Sequence, residues 1–169
     1  MTSGIVKQLI PSSHAVTLRP VCAQDGDLLF QLYASIREHE LAVVNWDDAT
    51  KEAFLQMQFQ AQQTYYQSYC SHDDHHVIEI DGTPVGRIYL SYSHYEIRLL
   101  DITLLPMYRN QGIGTALLQD VIHQAETSKR PIQLYVFRTN EGAFRFYQRF
   151  GFTLCEDTGV HFLMEWSPA

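Results

Sequence analysis

The stretch with the clearest chemical potential is Leu104-Leu105-Pro106-Met107-Tyr108-Arg109-Asn110-Gln111-Gly112-Ile113-Gly114-Thr115. An apolar run ends at its proline and an amphipathic run follows its glycines, so a strand is predicted to turn into a helix there. The first N–H groups of a helix lack internal partners and carry the positive end of its dipole. Glycine lets an oxygen approach these groups closely, because it has no Cβ. The stretch therefore predicts a cradle for a phosphate or pyrophosphate group.

Two other phosphate-binding motifs do not fit this stretch. A dinucleotide-binding fingerprint needs a third glycine or alanine where this chain has Leu117. A P-loop needs a lysine directly after its second glycine, where this chain has Thr115. For the Gly-x-Gly pair alone, a tight turn without a ligand remains an alternative.

A second stretch reads Asn140-x-x-Ala143-x-x-x-Tyr147-x-x-x-Gly151-Phe152. Together with Arg109-x-x-Gly112-x-Gly114, it resembles the two halves of the acetyl-CoA site in the GNAT superfamily of N-acetyltransferases. The resemblance extends from Val16 to about Trp166, nearly the whole chain. It implies acetyl-CoA as the cofactor, with CoA as a product.

The resemblance also implies which residues bind the cofactor. The pyrophosphate would lie on the loop, and the acetyl group near Leu104, where backbone N–H groups would polarise the thioester carbonyl. Asn140 and the helix after it would line the pantetheine and thiol, although a helix N-cap explains Asn140 equally well. The implied set is Leu104, Leu105, Arg109, Asn110, Gln111, Gly112, Ile113, Gly114, Thr115, Asn140, Ala143, Phe146 and Tyr147.

Three residues are candidates for proton transfer. An alkylamine with a pKa of ~10.4 is almost fully protonated at pH 7, so the acceptor needs a base or a relaying water. Glu96 and Asp101 lie on opposite faces of the predicted strand before the loop, and Arg98 shares the face of Glu96 and offers it an ion pair. The resemblance implies that Tyr147 lies near the sulfur, where its phenol would protonate the leaving thiolate. Packing in an aromatic stripe is the other interpretation of Tyr147.

A histidine-rich segment has the composition of a metal cluster. It reads His72-Asp73-Asp74-His75-His76. No further ligands stand at a recognisable spacing, so no metal site is assigned and a solvated loop is expected.

Hydrophobic periodicity predicts the elements that must position these residues. They follow in the order β-α-α-β-β-β-α-β-α-β-β, and Asp81-Gly82 indicates a tight hairpin turn. This order predicts an α/β fold with a GNAT-like central mixed β-sheet of about seven strands, flanked by about four helices. Residues 15–169 would form one domain, after a tail over residues 1–14.

Charge is distributed unevenly along the chain. The net charge is −7, and residues 22–74, with nine acids and two bases, account for all of it. Residues 104–150 carry six bases and three acids. An anionic ligand suits the second region and a cationic ligand suits the first, where Glu38 and Glu40 are further base candidates.

Length and composition exclude several classes of protein. A chain of 169 residues forms one domain, and it contains no apolar run long enough to cross a membrane. No secretory signal is visible, and three widely spaced cysteines suit a reducing cytoplasm. An acidic chain is not expected to bind nucleic acid.

The sequence therefore predicts an enzyme that transfers an acetyl group from acetyl-CoA to a primary amine by direct attack on the thioester. The acceptor would be a small cationic molecule or a peptide. A GNAT-like module that senses acyl-CoA without turnover is the alternative. The aromatic-rich final hairpin, with the resemblance, favours a homodimer.

Overall fold

The computed structural model of the protein describes residues 8–9, 15–69 and 74–169. The strands are β1 (Gln8–Leu9), β2 (Ala15–Pro20), β3 (His75–Ile80), β4 (Thr83–Tyr92), β5 (Ile97–Leu104), β6 (Ile132–Phe137), β7 (Thr153–Asp157) and β8 (His161–Trp166). The α-helices are α1 (Gly26–Ser35), α2 (Glu38–Ala42), α3 (Asp48–Tyr69), α4 (Ile113–Ser128) and α5 (Glu141–Arg149). Short 3-10 turns cover Ala23–Asp25 and Pro106–Tyr108.

The strands form one sheet in the order β1-β2-β3-β4-β5-β6-β8-β7. β5 and β6 are parallel, with Ile97 opposite Ile132 and Leu99 opposite Leu134. The β1–β2, β2–β3, β6–β8 and β7–β8 pairs are antiparallel. Parallel neighbours need a crossover connection, which α4 supplies here. The predicted mixed α/β fold is confirmed.

Two short elements differ from the sequence prediction. The two residues of β1 lie inside the predicted tail and pair with β2, with Gln8 opposite Val16. The five residues of α2 lie between the first two predicted helices. Neither segment is long enough to show a hydrophobic period. In the described part of the chain there are thus five helices rather than about four, and β1 joins the seven predicted strands.

The chain divides into two compact units. The first contains the described residues up to Ile88 together with Ile102–Gly114, and the second contains Tyr89–Asp101 and Thr115–Ala169. In the first unit, α1 packs on α3 through Leu29, Tyr33 and Phe59. The ring centroids of Tyr33 and Phe59 lie 5.4 Å apart. The helical spacing of Leu55, Phe59, Gln62, Tyr66 and Tyr69 predicts that they share one face of α3, but Tyr69 is 77% exposed.

In the second unit, α4 has the predicted amphipathic pattern. Its buried residues are Leu117, Leu118, Val121 and Ala125, and they follow a helical period. Leu134 and Met164 are opposite each other on β6 and β8, and both are buried. In neither unit does a described helix have the length and apolar character needed to cross a membrane.

The predicted hairpin turn between β3 and β4 is confirmed. Asp81 and Gly82 have φ angles of 49° and 81°. Both central residues of a type I′ turn need positive φ, which glycine adopts freely and aspartate tolerates.

An ion-pair network connects β2, β3 and the start of α1. The Asp25 carboxylate accepts hydrogen bonds from Arg19 Nη1 and Nη2 at 2.8 and 2.7 Å, and from the Cys22 N–H at 2.8 Å. Arg19 Nε donates to Glu79 at 2.7 Å. The position of Asp25 before the first predicted helix predicts that its side chain caps α1, but it makes no such hydrogen bond because it is held by Arg19. The hydrogen bonds from Arg19 lower the pKa of Asp25 well below its usual range.

Removing the Asp25 charge is expected to destabilise the protein. Because the pKa of Asp25 is lowered in the folded state, the ion pair stabilises that state fully at pH values above about 4, the ordinary carboxyl pKa. This stabilisation is lost as the pH falls below about 4 and Asp25 becomes protonated. We expect Asp25→Asn to lower the free energy of unfolding at pH 7 by about 2–3 kcal/mol, and the difference from the parent to shrink below about pH 4. Urea unfolding across pH measures this. The exposed Asp27, changed to asparagine, is the matched control, and equal losses in both variants would contradict the assignment.

Candidate functional site

The glycine loop lies in the first unit and turns β5 into α4. After Leu104, a 3-10 turn covers Pro106–Tyr108, and α4 begins at Ile113. Asn110 and Gly112 have φ angles of 59° and 83°, the left-handed conformation that these two residue types adopt most readily. The turn therefore leaves the first N–H groups of α4 without intrahelical partners, and an anion can bind there.

Short hydrogen bonds fix the shape of the loop. The Tyr108 N–H donates to the Leu105 carbonyl at 2.9 Å, and Gln111 Nε2 donates to the Met107 carbonyl at 2.8 Å. The Leu105 N–H donates to the Val85 carbonyl at 2.8 Å. The Leu105 N–H is one of the groups that the sequence offers for polarising a thioester carbonyl, and it is already hydrogen-bonded to β4.

Gly86 allows β4 and β5 to approach closely, and sequence reasoning missed this. A Cβ at Gly86 would lie 2.4 Å from the Thr103 carbonyl oxygen and 3.2 Å from the Leu104 Cα. Any side chain here would displace the strand end that carries the loop. A glycine within a predicted apolar strand is the sequence signal that could have indicated such an approach.

The side chain of Arg109 points back into the first unit. Its Nε donates to the Leu104 carbonyl at 2.9 Å, and its Nη2 donates to Ser35 Oγ at 2.9 Å. The sequence motif places Arg109 in the pyrophosphate cradle. In the structure, two of its nitrogens hold protein atoms instead, so the loop backbone is the stronger candidate for the anion.

The second predicted stretch lies in the second unit, at the start of α5. Asn140 Oδ1 accepts a hydrogen bond from the Ala143 N–H at 3.1 Å, so Asn140 caps this helix, as one of its two interpretations predicts. Ala143 and Phe146 are half-buried. Tyr147 is only 8% exposed, and its ring centroid lies 5.3 Å from Phe146 and 5.5 Å from Phe152.

The phenol of Tyr147 interacts electrostatically with Asp101. Burial raises the pKa of Tyr147 well above its ordinary value, and the charge of Asp101 raises this pKa further. The phenol is therefore fully protonated at neutral pH. Asp101 lies on β5, on the side shared with the buried Leu99 and Thr103. The second unit thus contains both Tyr147 and Asp101, and the charge of Asp101 acts on the phenol.

Glu96 is placed differently from the sequence prediction. β5 begins at Ile97, so Glu96 lies in the turn before the strand, where its N–H donates to Ser93 Oγ at 3.0 Å. Its carboxylate pairs with Arg98 at 2.7 Å. The ion pair with Arg98, which the sequence offers as the other role of Glu96, is therefore present, and it makes Glu96 a poor candidate for the general base.

The histidine-rich segment falls only partly within the structure. His72 and Asp73 lie outside the described residues. His75 and His76 open β3, where successive side chains point to opposite faces of the sheet. Across residues 8–9, 15–69 and 74–169, no three His, Cys, Asp or Glu side chains are grouped closely enough to hold a metal ion.

The acidic region has two kinds of carboxylate. Asp25 is committed to Arg19, and Asp47 caps α3, because its Oδ1 accepts from the Thr50 N–H at 2.7 Å. Glu38 and Glu40 are exposed on α2. Helix α2, which the sequence did not reveal, thus presents two exposed carboxylates, and Asp27, Asp48 and Glu52 are exposed as well.

Comparisons with known proteins agree on one family. The model of the family described as acetyltransferase (GNAT) matches residues 39–152. A protein named an uncharacterized N-acetyltransferase, from Methanocaldococcus jannaschii, is 29% identical over 146 residues, which are 72% of this chain and 64% of that protein. Another of the same name, from Archaeoglobus fulgidus, is 33% identical over 79 residues, 42% of this chain and 54% of that protein. The chain thus spans less than two thirds of the curated relatives it matches.

Solved structures share the fold. The PaiA N-acetyltransferase of Thermoplasma acidophilum, in complex with coenzyme A, has a TM-score of 0.67 at 22% identity, and the match covers 90% of this chain and 98% of that one. Arabidopsis thaliana Naa50, with the bisubstrate analogue CoA-Ac-MVNAL, has a TM-score of 0.57 at 19% identity, with the same coverage.

Proposed function

Because the chain belongs to the acetyltransferase (GNAT) family, we propose that it is an N-acetyltransferase that transfers the acetyl group of acetyl-CoA to a primary amine. The observation that carries this proposal is the loop before α4, where Asn110 and Gly112 turn the chain so that a helix N-terminus is open to an anion. The coenzyme A bound to the Thermoplasma protein and the CoA-containing analogue bound to Naa50 support the same cosubstrate.

The reaction sets requirements that residues of this chain meet. Acetyl-CoA supplies an activated thioester. The N–H groups at the start of α4, from Gly112 to Thr115, bind its pyrophosphate, with the positive end of the helix dipole adding attraction. Since the Leu105 N–H is held by the Val85 carbonyl, the proposed donor that polarises the thioester carbonyl as the amine attacks is another backbone N–H near Leu104.

Tyr147 is the proposed general acid. Its phenol holds a proton at neutral pH, as a tyrosine does at its ordinary pKa of about 10, and burial and Asp101 raise that pKa further. Hydrogen-bond donation from the phenol stabilises the thiolate as the carbon–sulfur bond breaks, and the proton follows the developing charge. Asp101, or a water bound to it, is the candidate base for the ammonium proton of the acceptor.

Product formation tests the proposal and separates it from the alternative of a silent acyl-CoA sensor. Acetyl-CoA is incubated with a panel of amines, and free CoA thiol and acetylated amine are both measured. An enzyme releases one thiol for each acetylated amine. Binding of CoA with neither product would favour the sensor, and the absence of CoA binding would contradict both.

We propose that the acceptor is cationic. The charge of residues 22–74 supports this, and so do the exposed Glu38 and Glu40 on α2. A surface of one sign concentrates ligands of the opposite sign, and salt weakens the effect. Peptide amines beside basic residues, polyamines and amino sugars all fit this chemistry.

The salt dependence of the rate is the prediction that follows. We expect kcat/KM for spermidine to exceed that for a neutral alkylamine and to fall by about tenfold between 0.02 and 0.5 M salt, with little change for the neutral amine. Initial rates at both salt concentrations measure it. A preference for neutral or anionic amines would leave the acidic residues as ordinary surface.

We infer a homodimer from an aromatic surface in the second unit. Tyr135 is 52% exposed and Phe137 is 40% exposed, and the ring centroids of Phe137 and the half-buried His161 lie 4.2 Å apart. Apolar rings at a surface are typical of subunit contacts. Light scattering at micromolar concentration is expected to give twice the chain mass, and a monomer mass would remove the inference.

We also infer a reducing compartment such as the cytoplasm. Cys22 and Cys155 carry free, exposed thiols. Exposed free thiols are typical of proteins kept in reducing surroundings.

A further inference from the structure

Arg109 holds two separate elements of the first unit together. Its Nε donates to the Leu104 carbonyl, at the end of β5, and its Nη2 donates to the hydroxyl of Ser35, the last residue of α1. Both distances are 2.9 Å. The Ser35 hydroxyl in turn donates to the Leu32 carbonyl at 2.8 Å, so it is oriented to accept from the arginine.

This arrangement suits a guanidinium group. Its planar fork fixes the relative position of two acceptors, and its charge strengthens both hydrogen bonds. The carbonyl end of a helix carries the negative end of its dipole, which favours a cation at Ser35. Lysine, with one nitrogen on a flexible stem, would not hold both acceptors in one geometry.

The segment after Ser35 carries two of the exposed carboxylates of the acidic region. Ile36 and Arg37 separate α1 from α2, and Glu38 and Glu40 lie in the first turn of α2. Because Glu38 and Glu40 lie so soon after Ser35 in the chain, the position of the end of α1 also determines where these two carboxylates lie. Arg109 thereby fixes them relative to the strand end at Leu104.

We propose that Arg109 is a positioning residue for the acceptor amine and acts through Ser35 rather than by contact with the amine. It sets the place of the acidic α2 segment against the end of β5, where the acetyl group is proposed to lie. The inference rests on the proposed function, because that function identifies the acceptor. The anchoring of the end of α1 by Arg109 does not depend on the proposed function.

Ser35→Ala tests the inference, because it removes the link and leaves the loop intact. Ser128→Ala is the matched control. Ser128 is the last residue of α4, and its hydroxyl donates to its own helix at the Gln124 carbonyl at 2.8 Å. Ser35→Thr keeps the hydroxyl and serves as the rescue variant. Hydrogen exchange, CoA titration and acetyl transfer to spermidine are measured for all.

For Ser35→Ala we expect amide exchange over residues 33–42 to speed up by about tenfold, and the KM for spermidine to rise by about five- to tenfold. The Kd for CoA and kcat should stay within about twofold of the parent, since the lost bond positions the acceptor side only. Ser35→Thr should restore the parent values. A parallel loss of CoA affinity, or behaviour equal to Ser128→Ala, would overturn the inference.

The two proposals fail in different ways. If the parent acetylates no amine, the proposed function is wrong, and the exchange measurement still decides whether Ser35 anchors the end of α1. Unchanged exchange over residues 33–42 would overturn the anchoring role even in an active enzyme.

Discussion

Gly112→Asp is expected to abolish CoA binding. Gly112 has a φ of 83°, so an aspartate there is strained, and its carboxylate would meet the pyrophosphate beside the N-terminus of α4. The positive end of the helix dipole would then be partly neutralised by the protein itself. We expect a loss of at least about 100-fold in affinity, or about 2.7 kcal/mol, in calorimetric titration with CoA.

A matched variant separates this effect from strain alone. Gly159 has a φ of 87°, and a Cβ there would have no atom within 4 Å. Gly159→Asp therefore places the same residue in the same backbone region, in the final hairpin. It should lose similar stability and keep its affinity for CoA. Equal CoA binding by the parent and Gly112→Asp would place the cofactor elsewhere.

Tyr147→Phe is expected to lower kcat by roughly ten- to a thousandfold, within the range of general acid effects, and to leave the Kd for CoA nearly unchanged. Phenylalanine keeps the ring between Phe146 and Phe152 and removes only the hydroxyl. Because burial and Asp101 raise the pKa of Tyr147, its proton is held past pH 10, and no alkaline loss of activity should arise from it. The variant should therefore show a lower kcat with the same dependence on pH.

Tyr135→Phe is the control, because it removes a hydroxyl from an exposed tyrosine of the same unit. Its kcat should equal that of the parent. An unchanged kcat in Tyr147→Phe, under conditions in which acetyl transfer limits the rate, would falsify the acid role and leave Tyr147 as a packing residue.

Much of the fold could be predicted from local sequence patterns. The helical period of α4 and the Asp81-Gly82 turn arise from interactions between residues close in the chain, so they are visible in the sequence. β1 and α2 were missed because two- and five-residue elements are stabilised by their neighbours rather than by a period of their own. The exposure of Tyr69 was missed for a different reason, since residue spacing indicates which residues share a helix face but not whether another element covers that face.

The sequence by itself determined the order of the longer elements, the mixed sheet, the glycine turn before α4 and the family. Each of these depends on residue types at short spacings. Only the tertiary structure decided which polar groups are already engaged. The Arg109 side chain bonds Ser35, 74 positions away in the chain, the Asp25 carboxylate pairs with Arg19, and the Leu105 N–H donates to the Val85 carbonyl. The tertiary structure also decided that Asp101 acts on Tyr147, whereas Glu96 pairs with Arg98. The physical reason is that hydrogen bonds and charge interactions act over a few ångströms of space, and chain distance does not reveal which distant residues the packed elements bring that close.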